Sequence, residues 1–447
     1  MKHQLIIRNA QVITLDRTIG DFSRADLLIE DDRIAAVGPD LEAPGAEEID
    51  ADGMIAIPGL IDTHRHVWQG QIRGITTDAT LLEYMQTMHG TIGEDHGPSI
   101  GAIYRPQDVY IGNLVGTLEA LSAGITTILD WSHIMNTPEN ADAAIRALKE
   151  SGTRAVFGYG FSQTHGHLLD DARRVRSQYF TSGSGLITMA LAIRGPEMSS
   201  MDDVRQEITL ARELGIPITL HAIGGGPVQP VLLLHQEGLL GPDLNFAHAN
   251  GLTDEELDLI AGTGGSISIT PEVEMQMGIG LPVTGRAIAH GLRPSLGADV
   301  VTAVSGDLFA QMRMALQTER ALQNDRLLKQ GQMPQKLSLT TRDALEWATI
   351  NGAKALGLEN RVGTLTPGKQ ADLVLIRTSD LNLSPVNNPV GQVVQHAHPG
   401  NVDSVFVAGK AVKRNGKLVQ VDWNRVRQQA VASRDYLFSQ LEVAAVS

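Results

Sequence analysis

Hydrophobic and polar positions alternate over residues 4–57 in the short runs LIIRNAQVITL, ADLLIEDDRIAAVG and EIDADGMIAIPG, with Asp-Asp and Asp-Gly turn signals between them. This period-two pattern predicts a small antiparallel sheet. From about residue 58 the pattern changes, and each apolar run is followed by a longer stretch with helical spacing. The runs are 60–66, 124–131, 153–161, 186–194, 217–221, 244–249, 265–271 and 292–299. Eight strand-then-helix units in series are what a (β/α)8 barrel requires. Stretches between them, such as SMDDVRQEITLARELG and TDEELDLIAGTG, carry Ser, Thr or Asp near their starts and glycine at their ends, as helices do.

After residue 364 the alternation returns in GTLTPGKQADLVLIRT and VDSVFVAGKAVKRNGKLV, with Gly-Lys and Asn-Gly turns. Residues 423–443, rich in Arg, Gln and Ala, read as a terminal helix closing this part. The expected fold is α/β: a (β/α)8 TIM-like barrel over 58–364, beside a small composite β-sandwich domain built from both chain ends, 1–57 and 365–447.

Composition narrows the function classes. The chain has 447 residues and a formal net charge of −15. An acidic surface opposes binding to a phosphate backbone, so nucleic acid is not expected as a partner. There is no cysteine, which removes disulfides and thiolate metal sites. The N-terminal MKHQLIIRNAQVITLDRT is interrupted by polar residues too early for a signal-peptide core, and no apolar run reaches membrane-spanning length. A cytoplasmic protein acting on a small-molecule substrate, with no membrane partner, is the expectation.

The histidines fall where a barrel would use them. His64 and His66 end the first barrel run, His221 ends the fifth, His248 the sixth, and Asp299 the eighth. Residues i and i+2 of a strand share a face, so His64 and His66 can together hold one divalent ion at the barrel mouth. His221 and Asp299 can supply a further nitrogen and an oxygen, because catalytic groups of such barrels come from the C-terminal ends of several strands. A lone H-x-H is a weak signal; the set of strand-end histidines with the eighth-strand aspartate is a specific one.

PGLIDTHRHVWQG, ITLHA, NFAHANGLTDEEL, SLGAD and GTLTPGKQADLVLI together resemble the amidohydrolase superfamily, and within it the cytosine-deaminase-like branch that includes triazine hydrolases and purine-type aminohydrolases. The resemblance implies His64, His66, His221 and Asp299 as metal ligands and Asp299 also as proton acceptor. It implies that His248 hydrogen-bonds the attacking water or the substrate, and that the chain forms a homodimer or larger homo-oligomer. Members with two metals use a lysine on the fourth strand; here that strand reads ITMALAIRGPE and offers Arg194. One ion is therefore expected, Zn²⁺ or else Fe²⁺, which these ligands also suit. Glu197, just beyond that strand, reads as a capping or loop residue, the alternative being contact with a second ion.

Many deaminases of the branch carry a glutamate three residues after the fifth-strand histidine, and this chain has Gly224 there. A general acid near a ring nitrogen contributes typically about 10²–10⁴-fold, so either another group donates, with Glu272 and Glu274 of TPEVEMQMG as candidates at the barrel mouth, or the substrate needs less help. The GGG run is either an anion-binding nest, room for a bulky substrate, or a plain turn. Gln69, Trp68, His133, His165 and His167 are further polar or aromatic candidates around the substrate, Trp68 by stacking on a flat ring.

The function expected from these readings is metal-dependent hydrolysis of a C–N or C–X bond in a nitrogen heterocycle or cyclic amidine, of aminohydrolase type. Hydrolysis of a linear or cyclic amide is the alternative, since it needs no ring-nitrogen proton. A metal-binding barrel without catalysis is the third.

Overall fold

The computed structural model describes residues 3–90, 99–161, 169–183 and 185–446. Its eight-stranded sheet consists of Leu60–Arg65, Ile125–Met135, Arg154–Phe161, Ile187–Ile193, Ile218–Gly224, Leu244–Gly251, Ser266–Ile269 and Ser295–Leu296. They are hydrogen-bonded in chain order, all parallel. The first and eighth strands close the barrel. Arg65 bridges Asp299, and Thr63 Oγ1 donates to the Leu296 carbonyl at 3.0 Å. Every expected barrel run carries a strand. The eighth is short because Pro294 lacks an N–H before it and the backbone turns left-handed at Asp299, φ 58°.

Local chemistry sets the helices. Met201–Leu214 begins at Ser200, whose side chain accepts from Asp203 N, and ends on Gly215 at φ 64°. Asp254–Thr263 has a reciprocal Thr253/Glu256 capping box and ends on Gly264 at φ 80°. Such caps satisfy backbone groups that the helix leaves unpaired.

The chain ends build a second sheet of nine strands. Leu373–Arg377 pairs antiparallel with Met54–Pro58, so the two ends share one set of backbone hydrogen bonds. This sheet has its own core, including Ile7, Val12, Leu27, Leu375 and Phe406. A single residue, Gly59, separates Pro58 from the first barrel strand. A Cβ there would lie 2.1 Å from Thr126 Oγ1, so glycine permits the close approach. A buried Arg154–Asp372 pair, with contacts of 2.8 and 2.9 Å, ties the third barrel strand to the second sheet. The terminal helix Trp423–Val446 packs on the barrel helix Pro106–Ser122. Ser433 Oγ donates to Asp108 Oδ1 at 2.7 Å, and the Arg105 guanidinium sits 3.2 Å from the Tyr436 ring centre. Among the described residues, no helix is long and apolar enough to cross a membrane.

Candidate metal centre and active site

The barrel brings His64, His66, His221, His248 and Asp299 to one end. The His64 ring centre lies 5.0 Å from that of His66, 4.9 Å from His221 and 5.2 Å from His248. Asp299 Oδ1 is 3.5 Å from His64 Nε2 and 3.3 Å from His66 Nε2. Two sets of donor atoms each fall within 4.8 Å: His64, His66 and Asp299, and His64, His221 and His248. The backbone fixes this spacing, because Asp299 N donates to the His64 carbonyl and His66 N to the Asp299 carbonyl, both at 2.9 Å. His248 and Asp299 are both left-handed, at φ 76° and 58°. Non-glycine residues adopt that conformation at a cost of order 1–3 kcal/mol, and it concentrates at functional sites.

His64 is fully buried, yet neither of its ring nitrogens has a hydrogen-bond partner. A buried polar atom left unmatched is costly, and a divalent ion at Nε2 removes that cost, so the donor set fits a metal. The ring of His66 is oriented for the same purpose. Its Nδ1 lies 2.9 Å from the Trp131 carbonyl, which only accepts; the proton therefore sits on Nδ1 and leaves the Nε2 lone pair free. Burial pushes His64 down to about 4, against the pull of Asp299. Burial and then the imidazoles of His64, His248 and His66 hold His221 well below its ordinary range. Neutral rings are what metal ligation needs. Burial pushes Asp299 up, but His64 and His66 hold it well below the usual carboxylate range.

His248 differs from the others. Its Nδ1 lies 3.1 Å from Thr270 Oγ1 and 3.5 Å from Glu274 Oε1, and its Nε2 is 3.8 Å from Asp299 Oδ2. Burial opposes its charge, but Glu274 and Asp299 together raise it above its ordinary value.

His66, His221, His248 and Asp299 line a cavity of about 260 Å³. Leu81, Met85, Met277 and Ile279 form an apolar wall, while Glu197 and Arg194 contribute polar groups. His133 also lines it; its Nε2 is 2.8 Å from His89 Nε2, and its Nδ1 is 3.3 Å from the Trp131 carbonyl. Burial holds both His133 and His89 below the ordinary histidine value, His89 at about 3. No lysine lines the cavity among the described residues.

Several sequence-derived candidates lie elsewhere. Trp68 is fully buried and packs edge-on against Tyr104 at 5.0 Å, outside the cavity wall, so it has no face for a substrate ring. It sits in the 3-10 turn Val67–Ile72, not on an extension of the strand. Gln69 is also buried behind the wall; its Nε2 donates to Tyr84 OH at 2.6 Å, and Tyr84 lines the cavity. Glu272 turns away to Gln311, whose Nε2 donates to it at 2.6 Å. Burial, with Asp307 adding, raises Glu272 to about 7. Glu274 accepts from Thr270 N at 2.7 Å behind His248. Neither glutamate lines the cavity, which corrects the expectation of one at the mouth. Gly224 is left-handed, φ 72°, and its N–H donates to Glu197 Oε1 at 2.9 Å. An internal carboxylate thus takes this part of the proposed anion nest. His165 and His167 lie outside the described residues.

Leu81, Tyr84, Met85 and His89 escaped the strand-end reading. Their signal is the helical spacing of LLEYMQTMH, which puts Leu81, Tyr84, Met85 and His89 along one face of Leu81–His89.

A parallel barrel gathers four histidines and an aspartate at the C-terminal ends of its strands, a donor set that fits a divalent ion. The Amidohydrolase family model matches residues 55–412, and the chain belongs to this family. It is 28% identical over 446 residues to a 5-methylthioadenosine/S-adenosylhomocysteine deaminase of Desulforudis audaxviator, covering 96% of this chain and 97% of that protein. It is 28% identical over 431 residues to a 5'-deoxyadenosine deaminase of Methanothermobacter thermautotrophicus, covering 93% and 95%. Its fold matches that of an adenosine deaminase from Xanthomonas campestris with bound zinc, at TM-score 0.84 and 23% identity over 98% of this chain and 99% of the other. The fold also matches atrazine chlorohydrolase from Arthrobacter aurescens complexed with zinc, at TM-score 0.80 and 23% identity over 96% and 99%.

Proposed function

We propose that this chain is an aminohydrolase that releases ammonia or an amine from a carbon of a nitrogen heterocycle, using one divalent ion held by His64, His66, His221 and Asp299. The observation that carries this reading is the buried His64 ring, with both nitrogens unmatched, set against His66, His221 and Asp299, which line a partly apolar cavity. The deaminase names of the full-length relatives support the reaction type, and zinc in the similar folds supports the ion. The lack of a cavity lysine among the described residues supports a single ion. The same reading divides the chain into a barrel, 58–364, and a composite small domain, 1–57 with 365–447.

When bound, the ion lowers the pKa of a water and polarises it toward attack. Asp299, held in its ionised form by the histidines, accepts a proton from the attacking water and later delivers it to the leaving nitrogen. His248, whose Nδ1 lies 3.5 Å from Glu274 Oε1, donates a hydrogen bond to the oxygen on which charge develops. The apolar wall from Leu81 to Ile279 excludes water and suits the face of a flat ring.

The test is a panel of aminotriazines, adenosine derivatives, and cyclic and linear amides, with the ion content of the protein measured alongside. Release of ammonia or amine, lost on chelation and regained with zinc or ferrous iron, is expected. Turnover of an amide with inertness toward every amino heterocycle replaces this reading with amide hydrolysis. Less than about half an equivalent of ion after reconstitution favours a barrel without catalysis.

A further inference from the structure

The position three residues beyond His221 has no room for a side chain. A Cβ on Gly224 would lie 2.5 Å from the Gly251 carbonyl carbon and 2.6 Å from Leu252 N. A carboxylate reaches the same turn from the adjacent strand. Glu197, just past the fourth barrel strand, accepts from Ile223 N at 2.8 Å and from Gly224 N at 2.9 Å, and it lines the cavity beside His221 and His248. Resting on the aminohydrolase reading above, we propose that Glu197 carries the proton to the ring nitrogen of the heterocyclic substrate, reaching from the fourth strand the place that Gly224 leaves empty on the fifth.

The geometry suits the task. Each oxygen accepts one backbone N–H, which fixes the carboxyl plane, and each keeps a second lone pair where a proton can sit. Burial raises the carboxyl above its ordinary value against the pull of the Gly224 and Ile223 N–H groups. Glu256 adds to the rise and His248 opposes it.

Glu197 enters protonated. As the water oxygen bonds to the ring carbon, Asp299 takes one water proton and Glu197 gives its own to the adjacent ring nitrogen. The bond from carbon to the exocyclic nitrogen then breaks, its electron pair leaves on nitrogen, and Asp299 returns its proton there. The remaining hydroxyl proton passes to the Glu197 carboxylate as the carbonyl forms. One water enters, one amine leaves, and both carboxyl groups are restored.

The test compares the zinc-loaded wild-type chain with Glu197→Gln on whichever aminotriazine or adenosine derivative the wild type turns over. The expected variant keeps its ion by elemental analysis and a KM within about threefold, and loses about 10²–10⁴-fold in kcat. Its rate also lacks the fall at high pH that deprotonation of Glu197 imposes on the wild type. A kcat within about fivefold of wild type overturns the proposal. So does a loss of rate that comes with lost ion or an unmoved pH profile, which leaves Glu197 as a support of the turn alone. Should Glu197→Gln not fold, Glu197→Asp carries the test: its high-pH fall moves to lower pH, because aspartic acid is the stronger acid, and an unmoved profile overturns the proposal. A wild type inert toward every amino heterocycle sinks the aminohydrolase reading itself, before any variant is compared.

Discussion

The backbone N–H of Gly224 donates to the Glu197 carboxylate at 2.9 Å, so the fourth and fifth barrel strands meet at the cavity through a glycine and an acid. The glycine also faces Gly251 of the sixth strand so closely that a Cβ on either one would come within 2.7 Å of the other's backbone.

Gly224→Ala is therefore expected to destabilise the protein by at least about 1–3 kcal/mol, from the left-handed backbone alone, with the clash adding to it. Gly226→Ala, where a Cβ meets nothing within 4 Å, is expected to stay within about 0.5 kcal/mol of wild type. Denaturant unfolding of the two variants checks the pair. Equal stabilities would mean that the turn is wider than described.

His66→Ala removes a ring whose Nδ1 is committed to the Trp131 carbonyl and whose Nε2 faces Asp299. The variant is expected to fold, with the far-ultraviolet circular dichroism of the barrel unchanged, and to lose both bound ion and turnover. Surviving turnover would show that the ion sits elsewhere.

Asp130 gives a pH dependence of stability. Its carboxyl is fully buried, and burial raises it to about 8 against the pull of the Val67 N–H, Ser132 and Arg65. The folded state thus holds a proton that the unfolded chain releases from the ordinary carboxylate value of 3.8 upward. Stability contributed by this proton is full at low pH and is lost as pH rises toward 8. Asp130→Asn has no such proton, so its stability relative to wild type is expected to increase from pH 5 to pH 9 in thermal unfolding. A difference that is flat with pH would refute the assignment.

Arg154 and Asp372 are each nearly inaccessible, and Asp372 Oδ1 also accepts from Ala408 N at 2.7 Å. Arg154→Ala leaves that carboxylate buried without its cation, which typically costs about 3–5 kcal/mol. Urea denaturation is the measurement, and a loss below about 1 kcal/mol would mean that water reaches the site.

The strand-end ligands were legible in the sequence because two physical rules act locally. A strand's period of two puts His64 and His66 on one face, and a barrel delivers the C-terminal end of every strand to one rim. Side chains after the strands obey no such rule. Glu272 and Glu274 stand two apart on the helix Pro271–Gln276, where a separation of two turns them about 200° from each other. One therefore meets Gln311 and the other Thr270, and neither enters the cavity. Trp68 is likewise turned into the core by the 3-10 turn that follows the first strand.

By itself the sequence determined the barrel, the sheet completed by both chain ends, and the histidine and aspartate positions at the strand ends, since each follows from a short-range period of apolar and polar residues. Only the tertiary structure decided which carboxylate faces the cavity. Glu197 is held there by backbone N–H groups of Ile223 and Gly224, more than twenty residues along the chain, and no local pattern records a hydrogen bond between neighbouring strands' loops.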